Sequence, residues 1–155
     1  MSSYGDGAVN VRKLKLSHLK AWDYFMMSHS ETLRKIEKDL DSTISFTWYE
    51  ILFLVNSSKD HQIRMTELAD MLALSKSALT RAVDNLVKVS YLKRIQCEAD
   101  GRVSYASMTT KGHAALKAAW PIFRNSLQEH FGSKLSIQDA KTLEQILKKL
   151  ASPRD

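Results

Sequence analysis

The sequence predicts a mainly α-helical fold with a small β wing. Three features carry that expectation: apolar residues at helical spacing near both chain ends, two capped helices joined by a three-residue turn, and two alternating runs flanking a tight-turn pair. A chain of 155 residues can hold one compact domain with helical extensions and bury a core without staples. The single cysteine, Cys97, has no intramolecular partner, and no charged start followed by an apolar run marks a signal peptide, so the expected location is the cytoplasm. No apolar stretch approaches the roughly 20 residues needed to span a bilayer. A membrane is therefore not among the expected partners.

Residues 1–9 carry Ser, Gly and Asp with little apolar content and read as a flexible tail. From Leu19 the apolar positions recur as Leu19, Trp22, Met26, Leu33, Ile36 and Leu40, with His29 in the gap of a three-four spacing. A helix from about Leu14 to Leu40 would be near 40 Å long at about 1.5 Å per residue. A small domain needs less, so its stripe is expected to face a partner chain.

Thr47-Trp48-Tyr49-Glu50 has the form of a capping box and leads into Ile51, Leu52, Leu54 and Val55, a short buried helix that Asn56-Ser57-Ser58 stops. Thr66 is expected to cap a third helix, Glu67 to Leu72, with Glu67 and Asp70 near its positive end. After Ala73-Leu74-Ser75, Ser75 caps a fourth, along which Leu79, Val83, Leu86 and Val87 face inward. Two helices so closely joined make a helix-turn-helix. The helical pattern stops near Ser90, and Tyr91 to Cys97 and Val103 to Met108 alternate as strands around Asp100-Gly101, forming a hairpin, or wing.

Thr109 caps a fifth helix whose stripe runs through Leu116, Ala119, Trp120, Phe123, Leu127 and Phe131 and is ended by Gly132. Pro121 removes the bond to the Lys117 carbonyl, at a cost of about 3 kcal/mol, and is expected to kink it. Ser136-Ile137-Gln138-Asp139 resembles a capping box for a last helix carrying Ile137, Leu143, Ile146, Leu147 and Leu150. The expected organisation is a winged helix-turn-helix core over residues 46–109, flanked by N- and C-terminal dimerisation helices in residues 10–45 and 110–155.

The net charge of +6 suits a polyanionic partner, and its distribution says more. Between Met71 and Cys97, Lys76, Arg81, Lys88, Lys93 and Arg94 face a single acid, Asp84. In a helix-turn-helix the second helix enters the major groove of double-stranded DNA and its first turns touch bases. Here Ser75, Lys76, Ser77, Thr80 and Arg81 are expected to lie outward, with Arg81, and Lys76 beside it, able to reach guanine. Arg102 at the wing tip can enter the adjacent minor groove, oriented by Asp100.

The stretches Met65-Thr66-Glu67-Leu68-Ala69, Leu74 through Leu86, Asp100-Gly101-Arg102 and Thr109-Thr110-Lys111-Gly112 resemble the MarR family of winged helix-turn-helix regulators. That resemblance implies a homodimer with interlocked terminal helices, two recognition helices on a pseudo-palindromic operator, a role as a repressor, and a small aromatic or anionic effector. Ser75, Lys76, Ser77, Thr80 and Arg81 map to its recognition helix and Asp100 and Arg102 to its wing. Two departures stand out: Ser90 where glycine is usual before the wing strand, and Met108 where leucine is usual before the threonine.

The family places effectors between the dimer helices and the DNA-binding lobe, where Trp22, Met26, His29 and Trp48 are the candidate lining; the plainer reading makes them core or dimer-seam residues. Redox control through Cys97 is an alternative, set against an inert strand cysteine. A winged-helix protein-interaction module without DNA binding is another, and Arg81 and Arg102 oppose it. His18, His29, His61, His113 and His130 are scattered without metal-ligand spacing, and neither a nucleophile motif nor a phosphate-binding glycine loop is present. No enzyme and no cofactor are expected.

Overall fold

The computed structural model describes residues 14–97 and 103–151. Its elements run in the order α1 (Leu16–Leu40), α2 (Phe46–Ser57), β1 (Gln62–Arg64), α3 (Met65–Leu72), α4 (Lys76–Lys88), β2 (Leu92–Gln96), β3 (Ser104–Met108), α5 (Thr110–His130) and α6 (Ile137–Leu150). The class is therefore mainly helical with one small antiparallel sheet. Two compact units meet inside α1, between Glu31 and Thr32.

In the first unit, Leu16, Leu19, Trp22, Tyr24, Phe25, Met26 and Met27 are all exposed. The Phe25 ring lies between its helical neighbours, 6.3 Å from Trp22 and 6.5 Å from His29.

The second unit holds the core. Leu40 from the end of α1, Ile51, Leu52 and Val55 from α2, Leu68 from α3, Leu79, Val83 and Leu86 from α4, and Leu92 from β2 are fully buried. Asp39, one residue before Leu40, accepts hydrogen bonds from Ser126 Oγ at 2.6 Å and His130 Nε2 at 3.1 Å, which ties α1 to α5. The Ser126 hydroxyl, and then the His130 imidazole, hold its carboxyl below the usual carboxylate range.

Several element boundaries differ from the sequence reading. Helix α2 begins at Phe46 with Ser45 as its cap, because Ser45 is extended and its Oγ accepts from Trp48 N; Thr47 already lies inside the helix. This earlier start brings Phe46 within 6.4 Å of Phe123 in the aromatic layer around Tyr49. Helix α3 begins at Met65 on an Arg64 cap that supplies no side-chain bond, so Thr66 is a first-turn residue. The unexpected strand β1 explains that start. It pairs Ile63 with Ala106 of β3, giving the sheet order β1-β3-β2, and hands its last residue directly to the helix. Three residues are too few for alternation to reveal a strand.

Helix α5 runs through Pro121 as one element and closes at Phe131; Gly132 opens a short 3-10 turn without a left-handed backbone. Helix α6 has the expected reciprocal box between Ser136 and Asp139.

The exit of α4 turns on Ser90, whose φ is 64°, in the left-handed region that favours glycine. Serine thus takes the conformation for which glycine is usual. Ser90→Gly should raise stability by about 1 kcal/mol, the usual cost of a left-handed L-residue. A lower urea midpoint in the variant would contradict this reading.

The turn that follows is closed by Thr109. Its Oγ1 lies 2.6 Å from the Ser90 carbonyl oxygen and 3.0 Å from that of Tyr91, which its hydroxyl proton serves in common. Its N–H donates to the Tyr91 carbonyl at 3.2 Å, while Oγ1 accepts from Gly112 N at 3.0 Å to cap α5.

Candidate nucleic-acid interface

The connection between α3 and α4 is built from two local devices. Ala73 ends α3 in the left-handed region, at φ 51°, and Leu74 N bonds back to the Ala69 carbonyl. Ser75 then caps α4, its Oγ accepting from Ala78 N at 3.2 Å and lying 3.2 Å from Ser77 Oγ. With the helix phase set, Leu79, Val83 and Leu86 bury inward.

The opposite face follows from that phase. Ser75, Lys76, Ser77, Thr80 and Arg81 are all exposed, as the sequence led one to expect of a groove-reading surface. Among the described residues neither Lys76 nor Arg81 forms an ion pair. Both cations remain in water, able to exchange hydration for a polyanion.

The wing is an antiparallel pair with Lys93 opposite Ser107 and Ile95 opposite Tyr105, and pairing extends to Cys97, whose N–H donates to the Val103 carbonyl at 2.9 Å. Asp100 and Arg102 lie outside the described residues. Cys97 is half-buried at the end of the paired strand.

Two contacts escaped the sequence reading. Arg94 of β2 pairs with Asp84 of α4 at 3.0 Å, using the one acid of the basic stretch. Arg64 donates from Nε to Tyr105 Oη at 3.1 Å, its guanidinium 5.8 Å from the ring centroid. The lone acid was the available signal for the first, whereas nothing local joins residues 41 apart.

The candidate effector residues fall in separate settings. Trp22, Met26 and His29 are exposed on the first unit's part of α1. Trp48 belongs to the second unit, half-buried and edge-on to Tyr91 at 6.2 Å. A cleft of about 370 Å³ between α2 and α5 is lined by Phe53, Asn56, His113, Leu116, Lys117 and Trp120, none of which was expected there. Among the described residues there is no group of three or more His, Cys, Asp or Glu side chains placed to hold a metal, and no helix long and apolar enough to cross a membrane.

A three-stranded sheet packed on α3 and α4, with a hairpin following a helix-turn-helix, defines a winged helix-turn-helix protein. Residues 42–103 match the model of the MarR family. The transcriptional repressor MprA of Escherichia coli K12 is 33% identical over 112 residues, covering 72% of this chain and 63% of that protein. The chain thus spans less than two thirds of that relative's length. AbsC, a MarR family transcriptional regulator from Streptomyces coelicolor, has the same fold with a TM-score of 0.81 at 27% identity, over 90% of this chain and 95% of that one. Sco3205 from the same organism, solved in complex with DNA, gives a TM-score of 0.83 at 22% identity, over 91% and 89% of the two chains. The chain belongs to the MarR family of transcriptional regulators.

Proposed function

We propose that this chain is a sequence-specific DNA-binding regulator, a repressor that acts as a homodimer on a pseudo-palindromic operator under the control of a small aromatic or anionic effector. The observation that carries the DNA-binding reading is the outward face of α4: five exposed polar or basic side chains on its cap and first two turns, above an apolar face that fixes their orientation. An arginine there can make two hydrogen bonds to guanine, and the small hydroxyls of Ser75, Ser77 and Thr80 allow the backbone to approach. Asp100 and Arg102 would extend the footprint into the minor groove. Residues 46–109 form the DNA-binding part in this reading.

Residues 10–45 and 110–155 supply the dimer. Support comes from the apolar residues of α1 between Leu16 and Met27, which are exposed, and from α6, which buries none of its residues and leaves Ile137, Ile146 and Leu150 in water. With two copies, half-sites would lie about one helical turn, roughly 34 Å, apart. Trp22, Met26, His29 and Trp48 remain the proposed effector contacts, and the repressor assignment rests on the name of the MprA relative.

Titration of the full chain onto a duplex selected from a random-sequence pool tests the reading. A dimer making 6 to 10 phosphate contacts should lose roughly a thousandfold or more in affinity between 50 and 200 mM salt. Salt-insensitive binding, or equal affinity for selected and unrelated duplexes, would refute it. Sedimentation of the free protein as a monomer at micromolar concentration would remove the dimer.

A further inference from the structure

The end of α1 is fastened to the last turns of α5 by one carboxylate. Asp39 Oδ2 accepts from Ser126 Oγ at 2.6 Å and from His130 Nε2 at 3.1 Å. Among the described residues no other side chain of α1 is hydrogen-bonded to another element. The apolar part of the attachment is Ile36 and Leu40, buried one turn apart at the same end of the helix. The two donors differ in kind. Ser126 is 3% exposed and gives the carboxylate one fixed proton, whereas the His130 side chain is 18% exposed and can exchange protons with water.

The charges around this joint are few. On α1, Lys38 stands beside Asp39; on α5, Glu129 precedes His130; the 3-10 turn that follows carries Lys134. His130 is also the last residue of α5, where the unpaired carbonyls of a helix C-terminus favour a cation. Because a carboxylate only accepts, a neutral His130 ring must carry its proton on Nε2; the imidazolium donates the same proton and adds a full charge. An ordinary imidazole gains that charge near about pH 6.5. The Ser126 and His130 bonds keep the Asp39 carboxyl below the usual range, so it stays ionised well into acid. The joint therefore tightens as pH falls through the imidazole range and slackens only as the carboxyl takes up its own proton, below about pH 4.

We propose that Asp39, Ser126 and His130 form a proton-responsive clasp, in which charging of His130 tightens the hold of α5 on the end of α1. Ser126 keeps Asp39 in place at every pH, and His130 grades the strength of the hold. The clasp itself needs no second copy and no DNA. Where the dimer reading holds, the helix it grips is the one that carries the exposed residues Leu16 to Met27. A second imidazole pair acts in the opposite sense: His61 and His113 lie edge to face at 5.0 Å, and charging both makes them repel. Total stability against pH mixes the two effects, so the clasp is read as a difference.

The test compares thermal unfolding of the full chain with that of His130→Gln, at one protein concentration, at about pH 8 and about pH 5.5. Glutamine can still donate to Asp39 and cannot take up the proton, so the variant keeps a neutral joint. From the higher pH to the lower, the wild-type midpoint should gain about 2 to 4 °C on the variant, the scale of one charge-assisted bond in a chain of this length. Asp39→Asn removes the charge that the imidazolium needs, so in that background the effect of His130→Gln should be the same at both pH values. Hydrogen exchange, corrected for its intrinsic rate, locates the effect: the amides of Glu37 to Leu40 should gain protection in acid in the wild type and not in His130→Gln. A difference between wild type and His130→Gln that does not change with pH, or one that changes equally in the Asp39→Asn background, would overturn the clasp. Should Asp39→Asn fail to fold, exchange in the other two chains decides alone, and a gain in protection that leaves the end of α1 untouched refutes it.

Discussion

Gly112→Ala is expected to destabilise the chain by about 3 kcal/mol. In an ordinary helix this exchange would favour folding by up to about 1 kcal/mol, since alanine is the better helix former. Gly112 sits in the first turn of α5 against the α4–β2 junction, where a Cβ would collide with the Tyr91 carbonyl oxygen and lie 2.7 Å from Met108 Sδ. The methionine can move, whereas the carbonyl cannot. Thr109 binds that oxygen with its N–H and lies within hydroxyl reach of it, so relieving the clash means opening the junction. Steric cost therefore exceeds helix propensity. Urea unfolding should show a markedly lower midpoint with the slope little changed, and adding Met108→Ala should not restore it. A loss under 0.5 kcal/mol, or full rescue by the second substitution, would place the constraint elsewhere.

Arg81→Ala should give the largest effect on DNA recognition. One bidentate contact to guanine contributes about 1 to 3 kcal/mol of discrimination, and the proposed dimer would present the residue twice, so the selected duplex should lose about 2 to 6 kcal/mol. At 1.4 kcal/mol per decade this corresponds to at least roughly thirtyfold. Binding to an unrelated duplex should fall much less. Arg81→Lys keeps the charge and loses the planar fork, so it should recover nonspecific affinity without recovering discrimination. Losses of equal size on both duplexes would show that Arg81 touches phosphate.

Much of this fold was legible because its signals are local. Ser75 and Thr109 as caps, the reciprocal pair Ser136 and Asp139, and the apolar spacing on α4 each act within about one helical turn. The outward set on α4 followed from the same spacing. Thr47 and Thr66 were misread as caps because a threonine of the right type competed with tertiary structure: aromatic packing on Phe46 set one start and the pairing of β1 with β3 set the other. Ser90 was visible as an unusual residue, but its positive φ and the bond its carbonyl accepts from Thr109, 19 residues on, were not.

Long-range partners were not legible. Asp84 with Arg94, Arg64 with Tyr105 and Trp48 with Tyr91 join segments whose separation in sequence carries no periodicity.

The hydrogen bonds of Thr109 also have a mechanical meaning. They tie the segment Ser90-Tyr91, just beyond the end of α4, to the first turn of α5 through one side chain. The connection between the end of α4 and the start of α5 is thus a braced corner rather than a slack loop.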